Sequence, residues 1–164
     1  MWYTDKMIEI IQKENKILRE KAKPVPVEKI KSSNIQKILA DMSKSLELEE
    51  DGVAIAAPQI GISLRIFVVS HRAFEMIELD EEKQQKTMHS QKNKDIQKAS
   101  INNSSSSVTE KNLIFINPKI IKLSKKKEFL EEGCLSIRWI YGDVKRSRNA
   151  TVTAYNEKGE KFTR

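Results

Sequence analysis

"GVAIAAPQIG", Gly52 to Gly61, is the stretch on which the reading of this chain turns. Small apolar residues, a proline and one carboxamide, Gln59, sit between two glycines, in a chain where 32% of residues are charged. Small side chains let a ligand or another chain approach the backbone closely. Gln59 carries a donor and an acceptor, so it can polarise a carbonyl without adding charge. The same residues also suit a tight, packed turn between a helix and a strand, and the stretch alone leaves both readings open.

Upstream, Ser32, Ser33 and Asn34 offer N-caps. Ile35, Ile38, Leu39, Met42 and Leu46 then recur at helical spacing, which predicts a core-packing helix broken at Asp51 and Gly52. Before it lie an apolar cluster at Met7, Ile8, Ile10 and Ile11 and two prolines, Pro24 and Pro26, that force an extended path. Downstream, "LRIFVVS", Leu64 to Ser70, predicts a buried strand. From 71 to about 111 the chain turns polar and ends in a serine tract, with too few apolar residues to bury, which predicts a mobile insertion. "NLIFINPKIIKLS", Asn112 to Ser124, resumes strand character. In "NATVTAYNEKGEKFTR", Thr151, Thr153 and Tyr155 point one way, Val152 and Ala154 the other, and Asn156 to Gly159 signal a hairpin turn. The last residue, Arg164, falls in the return strand of that hairpin.

The 164 residues favour one domain with a real core, and 38% hydrophobic content fits a soluble globular class. No apolar run approaches a membrane span, and "MWYTDKMIEIIQKENK" has neither a signal-peptide core nor a cleavage site, so the cytoplasm is the expected compartment. A single cysteine, Cys134, fits a reducing environment. The net charge of +7 raises the prior for a polyanion neighbour, yet the lysines are scattered, and no stacking motif or basic helix points to a specific nucleic-acid site.

"EEGCLS", Glu131 to Ser136, holds that cysteine. A lone cysteine is a small buried hydrophobe, a nucleophile in need of a base, or a metal ligand in need of partners. The two histidines, His71 and His89, flank or lie in the polar segment, eighteen residues apart, and do not form an HxxxH pair.

The two motifs together, in this order and spacing, closely resemble the peptide deformylases of bacterial type, whose first motif is GxGxAAxQ and whose second is EGCLS. The resemblance extends to "ILREKAKPV", Ile17 to Val25, and to the tail "VKRSRNATVTAYNEKGEKF", and spares only the stretch from about 71 to 111. It implies an α+β fold of antiparallel sheets packed around helices. It also implies removal of the formyl group from the N-terminal formylmethionine of nascent proteins by a metal-dependent hydrolase, with formyl-Met peptides as partners; the +7 charge adds the ribosome as an expected partner, and a monomer is expected. The metal would be divalent, Fe2+ in cells, with Zn2+ or Ni2+ as substitutes. By residue-for-residue match, Cys134 is the metal's thiolate ligand. The Gln59 side chain and the Leu135 backbone N–H are the oxyanion donors. Gly52, Val53, Ala54 and Gly133 border the peptide groove, and Glu132 with Arg146 forms an ion pair bracing the cysteine loop.

Two departures stand beside the match. Ala54 occupies the second glycine of the first motif. The family's third motif, HExxH on a central C-terminal helix, supplies two histidine ligands and the general acid–base glutamate, and these 164 residues do not contain it. The expectation is a single incomplete domain, a fragment or a degenerate relative, inactive by itself and poorly stable. The competing expectation is a non-catalytic peptide- or ribosome-binding relative.

Overall fold

The computed structural model describes residues 8–73 and 111–164. The insertion expected from 71 to about 111 therefore lies outside the described residues from 74 to 110, as does His89.

Helix α1 spans Ser33–Glu47. Ser32 sits before it in extended backbone, and its Oγ accepts the Ile35 N–H at 3.4 Å, giving the first turn one of its missing partners. Ile35, Ile38, Leu39, Met42 and Leu46 are buried along one face, as their spacing predicts. The helix stops four residues short of Asp51. Its end is tied by Arg72, whose guanidinium donates to the Leu46, Glu49 and Glu50 carbonyls at 3.2, 2.9 and 3.4 Å. These are carbonyls at the helix end and in the loop beyond it, and the cation also complements the negative end of the helix.

Five strands form one antiparallel sheet in the order β1 (Ala54–Ala56), β2 (Ile66–Val69), β3 (Leu113–Leu123), β6 (Ala150–Tyr155), β7 (Lys161–Thr163). A separate two-stranded sheet is made of β4 (Lys127–Cys134) and β5 (Ile137–Ser147). The register pairs Ile66 with Ile116 and Val68 with Ile114 on the face that meets α1, where Ile66, Val68 and Ile116 join the helix residues in one buried cluster. The opposite face carries Phe67 stacked on Phe115 at 4.4 Å, with Phe162 of β7 at 5.2 Å. The strand alternation read from the sequence thus gives two apolar faces rather than one. The hairpin turn also forms: Asn156 Oδ1 accepts the Lys158 and Glu160 N–H groups at 3.0 and 2.9 Å, and Gly159 takes φ +76°.

β3 runs through Asn117-Pro118 with a register shift between Ile116 and Lys119. Asn117 takes φ +53° there, and its side chain bonds both sides of Val25: Oδ1 accepts the Val25 N–H at 2.8 Å, and Nδ2 donates to the Val25 carbonyl at 2.7 Å. A side-chain amide thereby takes the place of a strand neighbour for the proline-rich segment, whose backbone cannot pair regularly. Lys23 pairs beside it, donating to the Ser63 carbonyl and accepting from the Arg65 N–H at 2.9 and 2.8 Å. The two-stranded sheet is less covered: Phe129 is 68% and Trp139 87% exposed, with Leu130, Ile140 and Tyr141 also exposed.

Candidate active-site groove

After α1 the chain turns through Gly52 and enters β1, an edge strand with one side unpaired in the sheet. Gly52 is buried, and a Cβ there would lie 2.8 Å from Glu49 Cβ and 3.0 Å from Leu46 Cδ1, so only glycine lets the wall close on the helix end. Val53 and Ala54 are exposed. A short 3-10 turn, Ala57–Ile60, follows β1 and ends at Gly61 with φ +79°. This turn carries Gln59.

Three bonds hold Gln59. Its carbonyl accepts the Ile11 N–H at 2.9 Å, its Oε1 accepts the Ala56 N–H at 2.8 Å, and its Nε2 donates to Ser136 Oγ at 3.4 Å. A backbone N–H can only donate, so Oε1 must face Ala56 and the amide NH2 must face away, towards the cysteine turn. The orientation of the one carboxamide in the opening stretch is therefore imposed by its own backbone.

Across from it, β4 ends at Cys134 and β5 begins at Ile137, with Leu135 and Ser136 in the turn. Leu135 packs partly buried against the main core, and Ser136 is buried. Cys134 is exposed and free. Gly133 pairs with Tyr141, and a Cβ on Gly133 would fall 2.8 Å from the Tyr141 ring, so the glycine lets that ring lie on the backbone. Glu132 and Arg146 form a two-pronged ion pair, Nε–Oε1 at 2.7 Å and Nη2–Oε2 at 2.8 Å. The hydrogen bonds from Arg146 hold the Glu132 carboxyl below its ordinary range and raise the guanidinium above its own.

The two walls enclose a cavity of about 700 Å³, lined by Gly52, Val53, Ala54, Gln59, Cys134 and Leu135 among others. Gly133 lines it too, while Glu132 and Arg146 stand behind it on the hairpin. His71 is elsewhere, with its backbone N–H and Nδ1 at 3.2 and 3.4 Å from Asn112 Oδ1. Sequence reasoning does not find three residues that shape this site. Gln12 Nε2 donates to the Leu135 carbonyl at 3.4 Å, and Arg138 Nη2 donates to Glu49 Oε2 at 2.6 Å. Glu49 and Arg138 look like solvated charges in the sequence, and Gln12 lies in a polar stretch with no motif, so no local signal marks them.

An edge strand, an oriented carboxamide and a cysteine turn thus face each other across a groove on an α+β frame. The polypeptide deformylase family model matches residues 7–164. Peptide deformylase 2 of Clostridium acetobutylicum is 36% identical over 150 residues, covering 92% of this chain and 73% of that protein. The peptide deformylase of Pseudothermotoga lettingae is 34% identical over 144 residues, covering 88% of this chain and 60% of that protein. The crystal structure of peptide deformylase from Thermotoga maritima superposes with a TM-score of 0.67 at 27% identity, over 96% of this chain and 79% of the other. The chain belongs to the peptide deformylase family, a family of metal-dependent enzymes.

Among the described residues the donors do not make a metal site. Among the described residues no group of three or more histidine, cysteine, aspartate or glutamate side chains could hold a metal ion. Cys134 offers one thiolate where about three protein ligands are the norm.

Proposed function

We propose that this chain is the peptide-binding and oxyanion-stabilising part of a deformylase that acts on the formyl group of N-terminal formylmethionine in new cytoplasmic proteins. The observation that carries the reading is the orientation of Gln59, whose NH2 faces the cysteine turn across the groove. An extended peptide pairs with the free edge of β1 at Val53 and Ala54, with Gly133 on the other side, as extended peptides do on open sheet edges. Its formyl oxygen meets Gln59 Nε2 and the Leu135 N–H. As that carbonyl becomes tetrahedral its oxygen gains charge, and preorganised donors of this kind contribute about 3–4 kcal/mol each. Glu132 and Arg146 brace the hairpin that carries Leu135.

Hydrolysis needs more than these residues supply. Cys134 is the thiolate for a divalent metal, Fe2+ by resemblance or Zn2+ or Ni2+ in its place. The HExxH motif, to which the resemblance assigns the other ligands and the proton-moving glutamate, is not among the 164 residues. We infer that these residues alone bind peptide without turning it over. The exposed apolar residues of β4 and β5 support the companion expectation of low stability.

The test uses the purified 164-residue chain with a formyl-Met tripeptide, with and without added Fe2+ or Zn2+, reading peptide affinity by calorimetry and formate release by assay. Binding without formate is expected. Formate release at a rate typical of the family overturns the inference of inactivity, and no peptide binding overturns the groove. A second reading, a non-catalytic ribosome-associated relative, is favoured by the net charge of +7. It requires salt-sensitive co-sedimentation with ribosomes, and a chain that stays in the supernatant at low salt removes it.

A further inference from the structure

Three described side-chain contacts tie the cysteine turn and the start of β5 to the rest of the site. Gln59 to Ser136 and Gln12 to the Leu135 carbonyl are both 3.4 Å, at the long end of hydrogen bonding. Arg138 to Glu49 is 2.6 Å and joins two ionised groups. Short charge-assisted contacts are about twice as strong as neutral ones, so the stiffest of the three is one that no motif contains.

We propose that the Glu49–Arg138 ion pair is a latch that positions the cysteine turn against the end of α1 and so sets the width of the groove. Both ends of the pair are placed for this. Glu49 is held by its own backbone, since its carbonyl accepts from Arg72 at 2.9 Å while the same guanidinium holds Leu46 and Glu50. The carboxylate springs from this tied backbone, with the side chain 20% exposed. Arg138 lies two residues past the turn and directly before Trp139, whose φ of +64° is a backbone conformation that side-chain-bearing residues avoid. Such a conformation persists only where the surroundings enforce it, and the clamped Arg138 is its immediate neighbour within β5. The pair also has a place in the shape of the site. Leu48, Glu49 and Arg138 line the groove on one side and, on the other, a second hollow bordered by Ile8, Gln12 and Ser45. The ion pair is thus part of the partition at which the groove ends.

Arg138 and Glu49 act here as positioning residues, through Leu135 and Cys134. What the position is for rests on the groove reading above, whereas the latch does not. The experiment follows amide hydrogen exchange at residues 134–139 in the 164-residue chain as salt rises from about 50 mM to about 0.5 M, which shortens the screening length several-fold. It then repeats the measurement in Arg138→Gln and in the charge-swapped double variant Glu49→Arg/Arg138→Glu. Exchange at the turn is expected to speed up with salt and by about fivefold in Arg138→Gln, with α1 and the five-stranded sheet unchanged and the swap largely restoring protection. Salt-independent exchange at the turn in the wild-type chain overturns the latch even where the variants do not fold. Faster exchange throughout the protein in Arg138→Gln, or no effect of that substitution, overturns it as well. Affinity for a formyl-Met tripeptide is read in parallel. Weaker binding by Arg138→Gln links latch to groove, while a wild-type chain that binds no peptide counts against the groove alone.

Discussion

Gln59 and Ser136 meet across the groove, with Nε2 3.4 Å from Oγ, because the oxygen of the same amide is taken by the Ala56 N–H at 2.8 Å. Acceptor and donor thus have separate duties, one in the fold and one in the site, and substitutions can separate them. Gln59→Glu keeps an oxygen for Ala56 and loses the donor. It should leave the urea midpoint near wild type while weakening capture of a formyl-Met tripeptide in calorimetry. Gln59→Ala loses both, and should lower stability by about 1–2 kcal/mol because the Ala56 N–H is left without a partner.

Gly52 is read as a packing glycine as much as a groove residue. In Gly52→Ala the new methyl meets Glu49 Cβ at 2.8 Å and Leu46 Cδ1 at 3.0 Å, and Glu49 is held in place by Arg72. The wall must shift, and a loss of about 1–3 kcal/mol is expected in denaturant unfolding. A midpoint equal to wild type would show that the helix end gives way freely.

The opening stretch and the cysteine motif made the walls of the groove legible, since each has a local composition unlike its surroundings. The helix was legible from the spacing of Ile35 to Leu46, and its start from Ser32. Its end was not: Asp51-Gly52 marks a turn, but the helix finishes at Glu47, where carbonyls are collected by Arg72. That partner lies more than twenty residues on and carries no signal in the sequence. The same holds for Gln12, Glu49 and Arg138. Their contacts span long sequence separations, and a charged residue reads alike whether it faces water or a partner.

The Glu132–Arg146 pair predicts a response to acid. Hydrogen bonds from Arg146 lower the Glu132 carboxyl in the folded protein, so the pair's contribution is complete above the ordinary carboxylate range and lost as pH falls through the lowered value. The effect on global stability is small, since the pair is solvent-accessible. The hairpin is where it shows. Trp139 fluorescence, in a Trp2→Phe background, should change across that acid range in the wild-type chain and lose that transition in Glu132→Gln.

Asn117 gives a prediction about strain and bonding together. Asn117→Ala puts a methyl-bearing residue at φ +53° and removes both bonds to Val25, for an expected loss of about 2–4 kcal/mol. Asn117→Gly relieves the backbone and still loses the bonds, so it should fall between alanine and wild type. Equal stability of the two variants would mean the backbone conformation there costs nothing.

The bond between Asn117 and Val25 joins residues 92 apart in sequence. Val25 leaves the ribosome early and waits for its partner. Until β3 has emerged the proline-rich arm is held through Lys23 to Ser63 and Arg65 alone, and the Asn117 clasp closes on Val25 only afterwards. An arm that docks late can also be the first to come away. Early proteolytic cuts in the described part of the native protein should therefore gather before α1, well away from the groove itself.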